Sequence, residues 1–86
     1  MAKAPTKAQR EHWQRVREAG CMVCGAPPEI HHLFTGAGGR KNHDAVIGLC
    51  WLHHRGPQGI HFMGRKKWQA IYSTEQELLD KLNSLL

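Results

Sequence analysis

The spacing of apolar residues predicts a helix near the start of the chain. Trp13 and Val16 lie three residues apart within an otherwise polar segment, which gives one narrow apolar face. Thr6 and Gln9 match the capping-box pattern, in which each side chain bonds to the backbone amide of the other. We therefore predict a helix over residues 6–19.

The last third of the chain predicts two more helices over residues 65–86. Trp68 falls on the apolar face of the first, and Ser73 with Gln76 forms a second capping box that starts the last helix. The leucines of that helix follow helical spacing and predict a buried stripe or a dimer contact. They are Leu78, Leu79, Leu82, Leu85 and Leu86.

Short apolar runs between these helices predict a β-hairpin. Residues 30–34 and 45–49 are the two strand candidates, joined by a glycine-rich connection. About one turn of helix follows from Trp51, and the segment "RGPQG" at 55–59 interrupts it. Helices around a small hairpin make an α+β fold.

The chain has 86 residues, which favours one domain over residues 6–86 after a loose tail at 1–5. A chain of this size buries only about 60% of its unfolded surface, so small domains commonly need disulfides or a metal. Three cysteines cannot all pair with one another, which favours a metal and a reducing cytoplasm. No apolar segment near the N-terminus predicts a signal peptide or membrane span.

Cysteine and histidine spacing predicts a structural zinc site. Cys21 and Cys24 form one pair with two residues between them, and Cys50 and His53 form another. Three thiolates and one imidazole are a common closed ligand set for structural Zn²⁺. His54 is adjacent and could replace His53 as the fourth ligand.

Several histidines remain after this assignment. His31, His32, His54 and His61 are unexplained, with His43 nearby. A structural role is the usual explanation for any one of them, but so many around one hairpin favour a second metal site. Imidazoles that bind a cation, beside one left free as a general base, could activate water.

The segment "HHLFTGAGGRKNHDAVIGLCWLHH", followed by a later histidine, resembles the HNH or His-Me finger nucleases. It is most similar to their phage recombination-enhancement (Ref) branch, and the resemblance covers roughly Cys21 to Trp68. It implies a ββα-metal core with a zinc knuckle and flanking helices. It also implies a DNA endonuclease with one divalent cation, acting in phage or prophage recombination.

The resemblance also implies roles for individual histidines. His32 matches the general base, whereas His31, His54 and His61 match the ligands of a catalytic Mg²⁺, Mn²⁺, Ni²⁺ or Zn²⁺ ion. Many members place the last ligand four residues after the previous one, whereas His61 comes seven residues after His54 here. His61 therefore reaches the ion only if "RGPQG" loops back.

Two further features depart from the family pattern. Ala45 occupies the position of the family's asparagine, so its role would fall to Asn42, His43 or Asp44. Of these we favour Asp44 as the partner of the base and His43 as an auxiliary group. On a flat strand His31 and His32 point to opposite faces, so we expect a twist or bulge if both serve one site.

The net charge of +5 favours an anionic partner such as nucleic acid. Six cations flank the histidines in sequence and are candidates for DNA phosphate contacts without sequence specificity. They are Arg40, Lys41, Arg55, Arg65, Lys66 and Lys67. The resemblance implies a recombinase filament as a further partner and a bacterial cytoplasm as the location, and we expect a monomer or weak dimer.

Two other readings explain part of the pattern. A non-catalytic zinc-knuckle protein that binds nucleic acid would explain the cysteines and the charge. A regulatory zinc protein that dimerises through its leucine helix would explain the last helix.

Overall fold

The computed structural model describes residues 4–33 and 44–86. It is a mixed α+β structure of five helices and one antiparallel hairpin among these residues, which confirms the predicted class. In chain order the elements are α1 (Lys7–Ala19), β1 (Glu29–His32), β2 (Val46–Leu49), α2 (Trp51–His54), α3 (Ile60–Met63), α4 (Arg65–Ile71) and α5 (Glu75–Leu85). Predictions for Arg40, Lys41 and His43 lie outside the described residues.

Helix α1 begins at the predicted capping box. The Thr6 hydroxyl accepts from the Gln9 amide, and the Gln9 side chain accepts from the Thr6 amide. The helix ends at Gly20, whose φ of 83° favours glycine. A Cβ at Gly20 would also lie 2.8 Å from the Gly25 carbonyl oxygen, so this turn requires glycine on two grounds.

The two strands pair in a regular register. Glu29 lies opposite Leu49 and His32 opposite Val46, with one partner for each residue between. All four β2 residues are buried, and α1, α2 and α5 all contact this strand. A short continuous apolar run such as that of β2 is typical of a fully buried strand.

The core joins the hairpin to the helices around it. Val16 of α1, Trp68 of α4 and Leu82 of α5 are fully buried together with β2. The Trp68 indole nitrogen also donates to the Gln58 carbonyl over 3.0 Å, so burial leaves that group hydrogen-bonded. No helix in the described ranges is both long and apolar enough to span a membrane.

The last helix differs from the prediction by one residue. Thr74 and Glu77 form its capping box, rather than Ser73 and Gln76, because "STEQE" contains two overlapping copies of the pattern. Only part of the leucine stripe is core. Leu78 and Leu82 are buried, whereas the last two leucines are 64% and 48% exposed.

Candidate metal centres

The predicted zinc ligands converge at one point. The ligand atoms of Cys21, Cys24, Cys50 and His53 all lie within 4.8 Å of one another, close enough to hold a metal ion. The Cys24 and Cys50 sulfurs are 3.7 Å apart, and His53 Nδ1 lies 3.2 Å from Cys50 Sγ. Tetrahedral zinc would place two sulfurs about 3.8 Å apart and sulfur about 3.5 Å from nitrogen, so the set is compatible with zinc.

Local backbone geometry explains why these four residues meet. The Cys21–Cys24 turn is closed by the Gly25 amide, which donates to the Cys21 carbonyl over 2.8 Å. The Met22 amide donates to the Gly48 carbonyl over 2.9 Å, which fastens this turn to β2. Cys50 occupies the N-cap position of α2. His53 is three residues later, so its side chain lies on the same side of the helix as that of Cys50. His53, rather than His54, therefore completes the cluster.

The Cys21 and Cys50 thiols have shifted pKa values. Burial acts to raise the pKa of Cys21, but hydrogen bonds from the Cys50 and Cys24 backbone outweigh it and lower the pKa. Burial raises the pKa of Cys50. The Cys21 sulfur also accepts from the Val23 amide over 3.4 Å. These backbone donors favour the thiolate that binds metal.

A second cluster contains three histidines. The ligand nitrogens of His31, His54 and His61 lie within 4.8 Å of one another. The Nε2 atoms of His54 and His61 are 3.0 Å apart, and the His31 ring lies against both other rings. Two imidazole nitrogens this close can share either a proton or a cation. We call this cluster the histidine triad.

Carboxylates lie behind two of the three imidazoles. Glu29 Oε1 lies 2.8 Å from His54 Nδ1, which leaves His54 Nε2 facing His61. Arg55 contacts both oxygens of Glu29. These hydrogen bonds lower the pKa of Glu29, with Arg55 the largest cause and His54 the next.

The second carboxylate comes from α5, where sequence analysis placed no site residue. Glu75 Oε2 lies 2.7 Å from His31 Nε2, and Glu75 is 6% exposed. Arg65 approaches the other oxygen at 3.4 Å. Glu75 is 44 residues from His31, so no local spacing could have indicated it.

Burial lowers the pKa of His54 and of His61. For His54 the Glu29 contact opposes this effect, and for His61 the neighbouring imidazoles add to it. A lowered pKa keeps an imidazole neutral at neutral pH. Neutral imidazole is the form that binds a metal.

The segment after α2 turns back and brings His61 close to His31 and His54. A Cβ at Gly59 would lie 2.6 Å from the His54 carbonyl carbon and oxygen, so only glycine fits there. The Gln58 side chain accepts from the Tyr72 hydroxyl over 3.2 Å, which fastens the loop to the end of α4. A one-turn helix, α3, then presents His61; the sequence pattern did not indicate this helix.

The structure groups His31 with the triad and directs its neighbour elsewhere. The His32 ring lies edge-on to Trp13 of α1, with ring centroids 5.3 Å apart. Asp44 also faces α1, where its carboxylate accepts from Gln9 over 3.2 Å. The regular register of Glu29–His32 contains no bulge, so the alternation of a strand separates His31 from His32.

The predicted phosphate-binding cations fall into two groups. Arg55 and Arg65 each contact a glutamate behind the triad, so structural pairing accounts for both. Lys66 and Lys67 are exposed at the start of α4. Of the predicted cations within the described residues, these two therefore remain the candidates for phosphate contacts.

Comparison of the chain with protein-family models, curated proteins and solved structures finds no match.

Proposed function

We propose that this chain is a metal-dependent DNA endonuclease of the His-Me finger type. The observation that supports this most is the histidine triad, assembled from β1, α2 and α3 of a hairpin-and-helix unit. Glu29 and Glu75 orient two of its imidazoles, as carboxylates do behind metal-bound histidines. Three imidazoles leave coordination positions for water or a phosphate oxygen.

The proposed centres differ in the metal they bind. Three thiolates and His53 would hold structural Zn²⁺, with all four positions filled. The histidine triad offers only nitrogen ligands, which suit Zn²⁺ or Ni²⁺ best and suit Mn²⁺ and Mg²⁺ less, because those two ions prefer oxygen ligands. We therefore expect a transition-metal ion as the catalytic cation.

The proposed reaction is hydrolysis of a phosphodiester. His32 accepts a proton from water, the resulting hydroxide attacks phosphorus, and the bond to the 3′ oxygen breaks. The departing oxygen takes a proton from solvent, which leaves 5′-phosphate and 3′-hydroxyl ends. The cation, when bound, supplies charge stabilisation at the phosphate and at the departing oxygen. His31 is buried in the triad and His32 lies against Trp13, so the scissile phosphodiester would lie across the edge of β1, with the cation on one face and His32 on the other.

Contacts outside the chemistry follow from the charge. Lys66 and Lys67 would neutralise DNA phosphates without reading sequence, together with Arg40 and Lys41 of the glycine-rich connection. Arg55 and Arg65 would instead hold the two glutamates in place. A role in phage recombination with a recombinase filament follows from the family resemblance.

A plasmid-nicking assay with His32→Ala tests the function. We expect wild-type protein to nick supercoiled DNA with Ni²⁺ or Mn²⁺, and His32→Ala to lose about 100-fold or more of the rate. Zinc content and DNA affinity should remain unchanged in this variant. His12→Ala is the matched control, because His12 lies on α1 outside both clusters.

Two results would contradict the proposal. If wild-type protein nicks nothing with any of these cations, the chain is better described as a non-catalytic zinc-knuckle protein that binds nucleic acid. If His32→Ala nicks as fast as wild type, His32 is not the base, and its packing against Trp13 is its role.

A further inference from the structure

Glu75 is a buried carboxylate held in a fixed position beside the histidine triad. It is the first residue of α5, directly after the N-cap Thr74, where the helix dipole favours an anion. Its two oxygens have different partners, His31 at 2.7 Å and Arg65 at 3.4 Å. The Glu75 amide donates to the Gln69 side chain over 2.6 Å, which fixes the start of the helix.

The contact with His31 determines which ring nitrogen is free. A neutral imidazole has one N–H group and one lone pair. A carboxylate only accepts hydrogen bonds, so a neutral His31 imidazole that pairs with the Glu75 carboxylate carries its proton on Nε2. The lone pair is then on Nδ1.

We infer that Glu75 is a positioning residue for a divalent transition-metal ion at the histidine triad. It holds His31 in the tautomer with the proton on Nε2 and so makes Nδ1 the metal ligand. The inference rests on the proposed function only in taking this ion as the nuclease cation. Removing a carboxylate behind a metal-bound histidine typically weakens metal binding by about 10–100-fold.

The substitution Glu75→Gln tests this role, because it keeps the shape of the side chain and removes the charge. A glutamine amide can donate as well as accept, so it no longer selects one tautomer of His31. Ni²⁺ is titrated into protein that already contains zinc at the centre formed by Cys21, Cys24, Cys50 and His53, which we call the cysteine centre. Nitrogen NMR of the His31 ring, recorded before nickel is added, reports the tautomer.

We expect Glu75→Gln to bind Ni²⁺ about 10–100-fold more weakly and to lose the single tautomer, with its zinc retained. Glu77→Gln is the matched control. It is the same substitution on the same helix, at a residue that caps α5 and lies outside the triad. Glu77→Gln should match wild type in both measurements.

Unchanged nickel affinity and an unchanged tautomer in Glu75→Gln would overturn the inference. If Glu75→Gln fails to fold, the wild-type spectrum still decides, because a proton on Nδ1 of His31 contradicts the role. The nicking assay separates the two proposals. Weaker nickel binding in Glu75→Gln, together with a wild-type protein that nicks no DNA, supports the positioning role and refutes the nuclease.

Discussion

The two candidate metal centres use consecutive residues of α2, His53 and His54, but their surroundings differ. The cysteine centre has four ligands from two short segments, and its nitrogen ligand is buried. The histidine triad has three ligands from three elements, and His61 is exposed. A filled ligand set can only stabilise a fold, whereas an unfilled set can also bind a substrate.

The groups that support the ligands also differ between the two centres. Backbone groups of Cys50, Cys24 and Val23 support the Cys21 sulfur, so that support comes from the same two segments that carry the ligands. The triad instead depends on Glu29 and Glu75, two side chains far apart in sequence. Side-chain support can be removed by single substitutions without destroying the backbone. The two centres should therefore respond very differently to mutation.

The largest expected effect is loss of the cysteine centre. Cys50→Ser removes one ligand, and structural zinc in small domains contributes on the order of 10 kcal/mol to folding. That exceeds what a domain of this size has to spare, since total stabilities are about 5–15 kcal/mol. We expect Cys50→Ser to lose zinc and cooperative unfolding, measured by elemental analysis and thermal circular dichroism. A zinc-free variant with a wild-type melting curve would contradict a folding role.

Removal of a triad ligand should affect cation binding without affecting the fold. His61→Ala leaves two imidazoles, so we expect Ni²⁺ affinity measured by calorimetry to fall by about 100-fold or more. The melting curve in the absence of nickel should stay close to wild type, because His61 is exposed. Nickel affinity equal to that of wild type would show that His61 is not a ligand.

Gly59→Ala should separate the loop geometry from the ligands themselves. An added Cβ would lie 2.6 Å from the His54 carbonyl, and such overpacking typically costs about 1–3 kcal/mol. We expect lower stability in chemical unfolding and weaker nickel binding, because the loop that carries His61 must shift. Pro57→Ala is the control, since Pro57 is exposed in the same loop. If Gly59→Ala is as stable as Pro57→Ala, the close packing of the loop is refuted.

Lowering the pH should reduce the free energy of unfolding by a smaller amount than these substitutions do. The pKa values of His54 and His61 are lowered in the folded protein, whereas unfolded imidazoles titrate at about 6.5. Below that pH the unfolded chain binds more protons, so the stability present above about pH 6.5 is lost as pH falls. We expect urea unfolding of zinc-bound, nickel-free protein to show this loss between about pH 7 and pH 5.5.

A double variant, His54→Gln with His61→Gln, provides the comparison for this pH dependence. It lacks both imidazoles whose pKa values are lowered in the folded protein, so its free energy of unfolding should change less over the same pH range. An equally steep loss in the double variant would place the responsible groups elsewhere.

Local patterns predicted the parts of the molecule that depend on near neighbours. The α1 capping box and the paired cysteine spacings concern residues three apart, and both are confirmed in position. The overlapping pattern in "STEQE" shows the limit of this reasoning. Ser73 and Thr74 are equivalent by sequence, and only the structure identifies Thr74 as the cap.

Features that depend on packing between distant segments could not be predicted in this way. The sequence left His53 and His54 as alternatives, and the geometry of α2 assigns them to different centres. The sequence did not show whether His61 lies near His54. The loop between them turns back through the closely packed Gly59. Glu75 was missed because nothing near it in sequence indicates a histidine partner.

The most direct test of two separate centres is a crystal structure of nickel-treated protein with anomalous data at the zinc and nickel edges. We expect zinc bound by three sulfurs and His53, and nickel bound by His31, His54 and His61 with at least one non-protein ligand. Absence of nickel from the triad, or a His31 ring turned away from the nickel ion, would show that the triad is not a second metal centre.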